Sequence, residues 1–552
     1  LYGSVIALDT LALFFTGTRG TMLGLIGGAI LAVFIFALVH GSRRARMIAL
    51  TSVVAVVILG GGLWFARDTA FVRSVGFLDR LASISLTDST IKARFLNMGI
   101  AWQGVKERPI LGWGQENYAI VFDKYYDPRM YGQEPWFDRV HDIIFDWWIA
   151  GGTLGLLAYL SIFAMLLWAI WRPSVAQGST EASTPNVRKD ASSEGVFTDA
   201  EKVILTGLLA GYFVHNLTVF DNITSYILFA TLLGYIAWRE GEARHEKYVV
   251  ETELLPRSNL PFVAVAAALA VWGVAWWVNA GALAQNRALI QAIQPQSAGV
   301  PANIEYFKKA LSYGSFGTQE TREQLAQIAS QVASAKDVDI PTKQQIFELA
   351  VTEMMAQEKA SPMDARSPLF LGVVFGSYGD YADAATALSH ARDLSPRKQS
   401  LFFAIAQNQQ QQGDQAGALQ TLKEAYELDT DVTDARMYYA SALIVAGKDA
   451  LADELLAPLI PTGEAADTRI AAAYVTRGRF DKIAAIWEAK VKASPTDQQA
   501  YLTLAAAYYE AGNTAKAIAV LRDAEAAFPS QKDQAEKLIQ EIQNGTAKVG
   551  GN

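Results

Sequence analysis

The sequence contains no cysteine, which excludes disulfides, thiolate metal sites and cysteine nucleophiles. Charge is also scarce: Asp, Glu, Lys and Arg make up 18% of the 552 residues, against about 25% in an ordinary soluble domain. The net charge of −8 argues against a broad surface for nucleic acid. Because hydrophobic residues reach 51%, the chain is neither disordered nor wholly soluble.

Long apolar runs are concentrated in the first half, where only five charged residues lie between Leu1 and Ala66. A bilayer core of about 30 Å requires roughly 20 apolar residues per helix. The sequence predicts seven spans, the first and the sixth of them short: Leu1–Phe15, Met22–His40, Met47–Phe65, Ile143–Trp171, Val203–Phe220, Ile223–Trp238 and Leu260–Asn279. Because the chain begins inside an apolar run without a basic leader, we expect it to be the C-terminal part of a longer membrane protein.

The short loops between the predicted spans set the expected orientation. Gly41–Arg46 carries three arginines, and the segments 172–202 and 239–258 each carry four Lys or Arg residues. Positive charge in short loops faces the cytoplasm. We therefore expect the large segment 66–142, and everything after residue 281, on the opposite side of the membrane.

The second half of the chain carries an internal repeat. Five glycines recur at intervals of 34, 34, 31 and 34 residues: Gly379, Gly413, Gly447, Gly478 and Gly512. A 34-residue period is typical of tetratricopeptide repeats. Small residues recur seven positions before each glycine and large apolar residues nine positions after it, which predicts closely packed helix pairs. Such a solenoid acts either as a spacer or as a docking surface for a protein partner.

The sequence thus predicts an all-α fold, with a polytopic transmembrane helical bundle followed by a soluble tetratricopeptide α-solenoid. The predicted divisions are transmembrane helices in 1–65, a large extracytoplasmic loop in 66–142, transmembrane helices in 143–280 with cytoplasmic loops 172–202 and 239–258, tetratricopeptide-like helices in 281–365, and tetratricopeptide repeats in 366–552.

Several short motifs follow one another in the first half. They are TGTRG at Thr16–Gly20, Arg94-Phe95 with Trp102, Pro-Ile-Leu-Gly-Trp-Gly at Pro109–Gly114 with Asn117, Asp138-Arg139-x-His141, Gly151-Gly152-x-x-Gly155, and VHNLTVFDN at Val214–Asn222. In this order they resemble the C-terminal half of the O-antigen ligase and polymerase superfamily, bacterial membrane enzymes that transfer polyprenyl-diphosphate-linked glycans. The resemblance covers about Leu1–Trp238, and several members of the superfamily carry a C-terminal tetratricopeptide domain.

The resemblance implies a GT-C-like bundle, incomplete at its N-terminus, in the bacterial cytoplasmic (inner) membrane, with a periplasmic solenoid. It implies a donor glycan on undecaprenyl diphosphate and leaves the acceptor hydroxyl open among lipid A core, a growing glycan and a protein. The last would make the chain a protein O-oligosaccharyltransferase. The sequence departs from the superfamily at Asp142, because the residue after His141 is commonly Asn.

Glycosyl transfer requires stabilisation of the departing diphosphate. No Asp-x-Asp cluster occurs in the membrane half, and we expect neither a metal ion nor another cofactor. Arginine pairs bidentately with phosphate oxygens, so Arg19 and Arg94 are the predicted catalytic cations, with Arg139 as a third cation that binds substrate. His141 is the predicted base for the acceptor hydroxyl.

Each of these assignments has a structural alternative. Arg19 could snorkel at the interface, Arg94 could be a surface charge at a helix start, and Arg139 could form an ordinary ion pair with Asp138 or Asp142. His141 could be an interfacial histidine bonded to the backbone.

The other predicted substrate-binding residues are Trp113, Asn117 and Asp138. Aromatic side chains in this segment suit stacking on sugars, but also suit a belt at the membrane interface. His215 beside Asn216 is expected to brace helices.

Two other classes of function compete with the enzyme. A non-enzymatic scaffold, anchored by the spans and acting through the repeats, would leave the loop motifs without a role. Against a transporter, the predicted spans contain few ionisable residues and no obvious inverted repeat. The expected partners are therefore the lipid-linked donor, an acceptor, membrane lipids and a protein on the solenoid, without nucleic acid.

Overall fold

The computed structural model describes residues 2–16, 18–40, 42–83, 89–173, 196–244 and 257–547. Within these ranges all regular secondary structure is helical, which confirms the predicted all-α fold. Large parts of the predicted cytoplasmic loops, at 174–195 and 245–256, lie outside the described residues, as does Gly17 of the TGTRG turn.

Two compact units make up the chain. The first comprises Leu1–Tyr125 and Gly132–Trp272, and the second comprises Tyr126–Tyr131 and Gly273–Asn552. The helices of the first unit are α1 (Tyr2–Thr16), α2 (Arg19–His40), α3 (Arg43–Ala66), α4 (Ala70–Ser74), α5 (Gly76–Ala82), α6 (Ser89–Glu107), α7 (Tyr118–Lys124), α8 (Ile143–Trp171), α9 (Asp199–Asn216) and α10 (Ile223–Arg244). Helix α11 (Leu260–Ile293) begins in the first unit and ends in the second.

Each predicted span falls on one of these helices. In the described part of the chain, four helices are long and apolar enough to cross a membrane: Arg19–Val39, Arg43–Ala66, Ile143–Trp171 and Pro261–Ile293. Helix α1 is apolar but shorter. Helix α9 ends at Asn216, so the last residues of the predicted span Val203–Phe220 form a turn instead.

Helices α2 and α9 pack backbone against backbone, because glycines line both sides of their contact. A Cβ atom placed on Gly24 would lie 2.7 Å from the carbonyl oxygen of Gly211, and one on Gly28 would lie 2.5 Å from that of Gly207. Small residues four positions apart allow this close approach between apolar helices. One turn beyond Gly211, His215 Nδ1 lies 3.2 Å from the Thr21 hydroxyl of α2, a contact between the two helices.

The second unit consists of paired helices. They are α12 (Val300–Ser312), α13 (Thr318–Ser334), α14 (Ile340–Ala360), α15 (Arg366–Ser377), α16 (Tyr381–Leu394), α17 (Gln399–Gln411), α18 (Gln415–Leu428), α19 (Thr433–Val445), α20 (Asp449–Leu456), α21 (Thr468–Thr476), α22 (Phe480–Ala493), α23 (Gln498–Glu510), α24 (Thr514–Ala527) and α25 (Lys532–Gln543).

The turns and contacts of these pairs match the repeat seen in the sequence. Gly413 joins α17 to α18 with φ of 82°, a left-handed conformation that favours glycine. Gly372 packs against the side chain of Leu388, because a Cβ at Gly372 would lie 2.6 Å from Leu388 Cγ. The equivalent residues Ala406 and Leu422 are 1% and 2% exposed. The predicted tetratricopeptide solenoid is therefore confirmed.

Candidate functional site

The Pro-Ile-Leu-Gly-Trp-Gly run packs into a break in α8. Gly152 has φ of 63° within the helix, and Gly112 in the run has φ of 70°. A Cβ on Gly152 would lie 2.1 Å from the carbonyl oxygen of Ile110, and one on Gly112 would lie 2.3 Å from that of Ile149. Only glycine accommodates both the left-handed backbone and this approach.

Backbone hydrogen bonds join the run to the broken helix. The Trp113 N–H donates to the Ile149 carbonyl at 2.6 Å, and the Gly114 N–H donates to Ala150 at 3.0 Å. In return, the Thr153 N–H donates to the Pro109 carbonyl at 2.8 Å. The run thus supplies hydrogen-bond donors to carbonyl groups that have lost their helical partners at the break. These bonds hold the run against the start of α8.

Two of the predicted substrate-binding residues, Trp113 and Asn117, lie in this run or just after it. Trp113 is 6% exposed, its indole N–H donates to the Gly104 carbonyl at 3.0 Å, and the Arg108 guanidinium lies 4.0 Å from its ring centroid. The Asn117 amide donates to the Trp113 carbonyl at 2.9 Å. These contacts favour a role in shaping the run.

The peptide between Arg139 and His141 is held from two sides. The buried Asn97 of α6 donates its amide to the Val140 carbonyl at 2.9 Å and to the Arg139 carbonyl at 3.3 Å. Asn97 in turn accepts a hydrogen bond from the Tyr118 hydroxyl. On the other side, Asp146 of α8 accepts from the Val140 N–H at 2.7 Å.

Arg139 lies between two carboxylates and an aromatic ring. Its Nη2 is 3.3 Å from Asp146 Oδ2, and its Nη1 is 3.5 Å from Glu116 Oε1. The guanidinium carbon lies 5.0 Å from the Phe220 ring centroid. The side chain of Asp146 is 4% exposed and that of Glu116 is 64% exposed. Asp146 is therefore a fixed partner of Arg139, whereas the exposed Glu116 can be exchanged for a ligand anion.

His141 has a strained backbone and a defined tautomer. Its φ of 64° is in the left-handed region, which is uncommon for residues other than glycine. Its Nδ1 lies 3.1 Å from the Arg139 carbonyl oxygen, which can only accept a hydrogen bond, so Nδ1 carries the proton. Nε2 is then the basic nitrogen. Edge contacts with Phe137 and Phe220, with centroids 5.4 and 5.0 Å away, orient the ring.

Asp142 caps α8. Its carboxylate accepts from the Phe145 N–H at 3.0 Å, and burial raises the pKa of this carboxyl group. Asp and Asn are comparable N-cap residues. Asp142 thus has a defined structural role as the N-cap of α8.

A cavity of about 160 Å³ opens beside Arg139. The polar side chains that line it are Gln115, Glu116, Tyr118, Asp138, Arg139, Asp146 and Tyr226. Asp138, the remaining predicted substrate-binding residue, thus lies at the cavity beside Arg139. Within the described ranges, no group of three or more His, Asp or Glu side chains is placed to hold a metal ion.

Arg19 and Arg94 lie on elements that meet this site. Arg19 begins α2 and donates to the Ser83 hydroxyl at 3.0 Å. The next residue, Gly20, contacts Thr218, in the same turn as Phe220. Arg94 is half-buried on α6, one turn before Asn97, and residues three apart share a helix face. Arg94 therefore lies on the helix whose Asn97 holds the backbone of Arg139 and Val140, and Arg19 lies beside the turn that carries Phe220.

A buried carboxylate holds the turn that carries Phe220. Asp221 is 3% exposed and accepts hydrogen bonds from the Tyr212 hydroxyl and, at 2.8 Å, from the Asn216 amide. The VHNLTVFDN motif thus positions Phe220, whose ring packs against Arg139 and His141.

Residues 4–160 match the O-antigen ligase family. The matched segment contains most of α1, all of α2 to α7, the first part of α8, and all seven predicted site residues. The predicted resemblance is confirmed over this segment. Together with the four long apolar helices, it makes the chain a membrane protein and supports a glycosyltransferase-like role. No curated protein matches the chain.

Several solved structures are similar to parts of the chain. MamA is 18% identical over 38% of this chain and 95% of its own, with a TM-score of 0.22. The TPR protein YrrB is 18% identical over 43% and 100%, with a TM-score of 0.21. Yeast Tom70 is 12% identical over 82% and 96%, with a TM-score of 0.24.

Four residues of the site were not among those predicted from the sequence: Asn97, Glu116, Asp146 and Tyr226. Asp146 had a usable signal, because a carboxylate inside an apolar span usually has a functional reason. Glu116 has φ of 61°, a conformation that the sequence pattern does not reveal. Asn97 and Tyr226 gave no comparable signal.

Proposed function

We propose that the chain is a membrane glycosyltransferase that moves a glycan from undecaprenyl diphosphate to an acceptor hydroxyl, on the outer side of the bacterial cytoplasmic membrane. The observation that carries the proposal is the arrangement of Arg139 and His141, packed together on Phe220 at the start of α8. The family match of residues 4–160 supports this chemistry.

His141 is the proposed base. Because Nδ1 faces the Arg139 carbonyl, Nε2 accepts the proton of the acceptor hydroxyl. The hydroxyl oxygen then forms a bond to the anomeric carbon of the donor sugar, and the bond from that carbon to the diphosphate oxygen breaks. A direct displacement of this kind inverts the anomeric configuration.

Arg139 is proposed to bind the departing diphosphate, with Arg19 and Arg94 as further cations. The exposed Glu116 gives way to the phosphate oxygens, while the buried Asp146 keeps the guanidinium in place. Fixed cations aimed at developing negative charge stabilise a transition state strongly, so the proposed reaction is metal-independent.

The orientation follows from the arginine-rich loop Gly41–Arg46. With this loop in the cytoplasm, the start of α8 and the solenoid lie on the periplasmic side. The acceptor is lipid A core, a glycan chain or a protein hydroxyl, and these share the same donor chemistry.

Complementation tests the proposal. The full-length protein is expressed in a bacterial strain that lacks its own ligase and polymerase, and surface glycans are measured by gel and mass spectrometry. Native protein should restore a glycoconjugate, whereas His141→Ala and Arg139→Ala should not. Equal glycan output from the native protein and both variants would refute the assigned roles. Mass spectrometry of the product identifies the acceptor.

A further inference from the structure

A groove of about 830 Å³ runs along one face of the solenoid, within the second unit. Its lining comes mainly from alternate helices of the repeats, α13, α15, α17 and α19. Ligand sites typically measure about 300–1,000 Å³, so the groove has the size of a binding site. It shares no residue with the candidate site at Arg139.

Amide side chains dominate the polar part of the groove. Five glutamines line it: Gln327, Gln331, Gln407, Gln410 and Gln411. Each amide offers two N–H donors and an acceptor oxygen, a combination that pairs with neighbouring hydroxyl groups. Across the described residues, no protein group hydrogen-bonds the side-chain amides of Gln407 or Gln411, and both residues are exposed.

An aromatic pair forms the apolar part. The rings of Phe403 and Tyr438 stack with centroids 4.4 Å apart and an interplanar angle of 28°. Tyr131, which belongs to this unit, packs edge-on against Phe403 at 5.9 Å and donates its hydroxyl to Asp434 at 2.9 Å. The two rings are therefore fixed in place by their neighbours, and they give the groove an apolar wall.

The groove contains little charge with which a ligand could pair. No carboxylate occurs among its lining residues, all of which the structure describes, and Arg469 is the one charged residue there. Arg469 Nη2 lies 2.7 Å from both Asp434 and Asp467, and its guanidinium lies 4.6 Å from the Tyr438 ring centroid. A ligand anion, such as the carboxylate of a peptide terminus, would have to displace two carboxylates.

We propose that this groove binds an uncharged stretch of glycan chain. The glutamine amides hydrogen-bond the hydroxyl groups, and Phe403 and Tyr438 supply the apolar wall of the groove. A glycan held here stays at high local concentration around the enzyme that transfers it. The identity of the glycan rests on the proposed function, but its binding does not require transfer.

Binding is measured with the full chain in lipid nanodiscs. The probes are the neutral and the anionic oligosaccharides released by mild acid from the lipid-linked glycans of the producing cells. The neutral fraction should bind measurably in calorimetry and the anionic fraction more weakly. Combining Gln407→Ala with Gln411→Ala should weaken binding about tenfold.

Gln420→Ala is the matched control, because Gln420 is an exposed glutamine on α18 that donates to Glu424 at 3.1 Å outside the groove. It should leave binding unchanged. Failure of the neutral fraction to bind, or equal binding by the double variant, would overturn the proposal. Tighter binding of a random peptide library, lost in the same variant, would also overturn it and assign the groove to a protein. His141→Ala should retain oligosaccharide binding while it loses transfer, which separates this inference from the proposed reaction.

Discussion

Arg139 and Asp146 form an ion pair of 3.3 Å at the start of α8, with the Asp146 side chain 4% exposed. The second Asp146 oxygen accepts the Val140 N–H. One buried carboxylate thus fixes both the guanidinium and the backbone that leads to His141. Removal of one partner from a buried pair leaves an uncompensated charge and commonly costs about 3–5 kcal/mol.

This pairing predicts different outcomes for two substitutions. Asp146→Asn keeps an acceptor for the Val140 N–H but loses the charge, and we expect a folded protein whose glycan transfer falls at least about tenfold. Asp146→Ala loses both contacts and should also lower the thermal unfolding midpoint of the purified chain. An Asp146→Ala protein with native unfolding temperature and native glycan output would contradict the positioning role.

The left-handed backbone of His141 allows stability and activity to be separated. His141→Gly relieves the strain at φ of 64°, and should be more stable than His141→Ala by about 1 kcal/mol. Both variants lack the imidazole and should lose about 100-fold or more in transfer. The check combines denaturant unfolding with transfer assays. If His141→Gly retained activity, the imidazole would not be the base.

Neighbouring glycines in α8 provide a matched pair. Gly152→Ala places a Cβ 2.1 Å from the Ile110 carbonyl oxygen at a left-handed position, whereas a Cβ on Gly151 meets nothing within 4 Å. We expect Gly152→Ala to lower expression and unfolding temperature, at a cost of more than about 1 kcal/mol. Gly151→Ala should behave like the native protein. Equal stability of the two variants would show that the run does not pack into α8 as described.

The spacing of the turn glycines was sufficient to predict the solenoid, because the same contacts recur in every repeat. The turn at Gly413 and the contact of Gly372 with Leu388 both follow from positions within one repeat. The spans were likewise visible as apolar runs. These parts of the fold depend on residues close together in sequence.

Helix α6 illustrates why the site was harder to predict. Its apolar residues Phe95 and Trp102 are 64% and 44% exposed, while Asn97 is fully buried. The buried face combines the apolar residues Ile100 and Val105 with small ones, of which Gly104 lies against Val121 of α7 and Ile149 of α8. Hydrophobicity alone therefore did not mark the packed face, and the contact of Asn97 with Val140 joins residues 43 positions apart.

Acid should weaken one ion pair of the first unit. Arg239 donates to Glu201 at 2.8 Å, which lowers the pKa of Glu201 to about 2. A lowered carboxyl pKa stabilises the fold above the unfolded pKa of 4.5, and this stabilisation disappears as the pH falls toward 2. Because Glu201 is 32% exposed, its contribution is about 1 kcal/mol or less.

The measurement compares the native chain with Glu201→Gln. The difference between their unfolding temperatures should be constant above pH 4.5 and shrink steadily below it. Glu107→Gln should show the same pH dependence, because the hydrogen bond from Lys124 at 2.8 Å lowers the pKa of the Glu107 carboxyl group as well. A difference for Glu201→Gln that grew on acidification would show that the pKa of Glu201 is raised in the folded chain, contrary to the ion pair with Arg239.

Arg139→Lys distinguishes a forked cation from a simple positive charge. Lysine keeps the charge but cannot contact Asp146 and a phosphate as guanidinium does, and it loses the planar contact with Phe220 at 5.0 Å. We expect transfer to fall at least about tenfold with little change in unfolding temperature. The same assay, run on the purified native chain with EDTA, should show unchanged transfer, because the proposed cations are arginines. A strict requirement for added magnesium or manganese, or full activity of Arg139→Lys, would refute arginine-based stabilisation of the diphosphate.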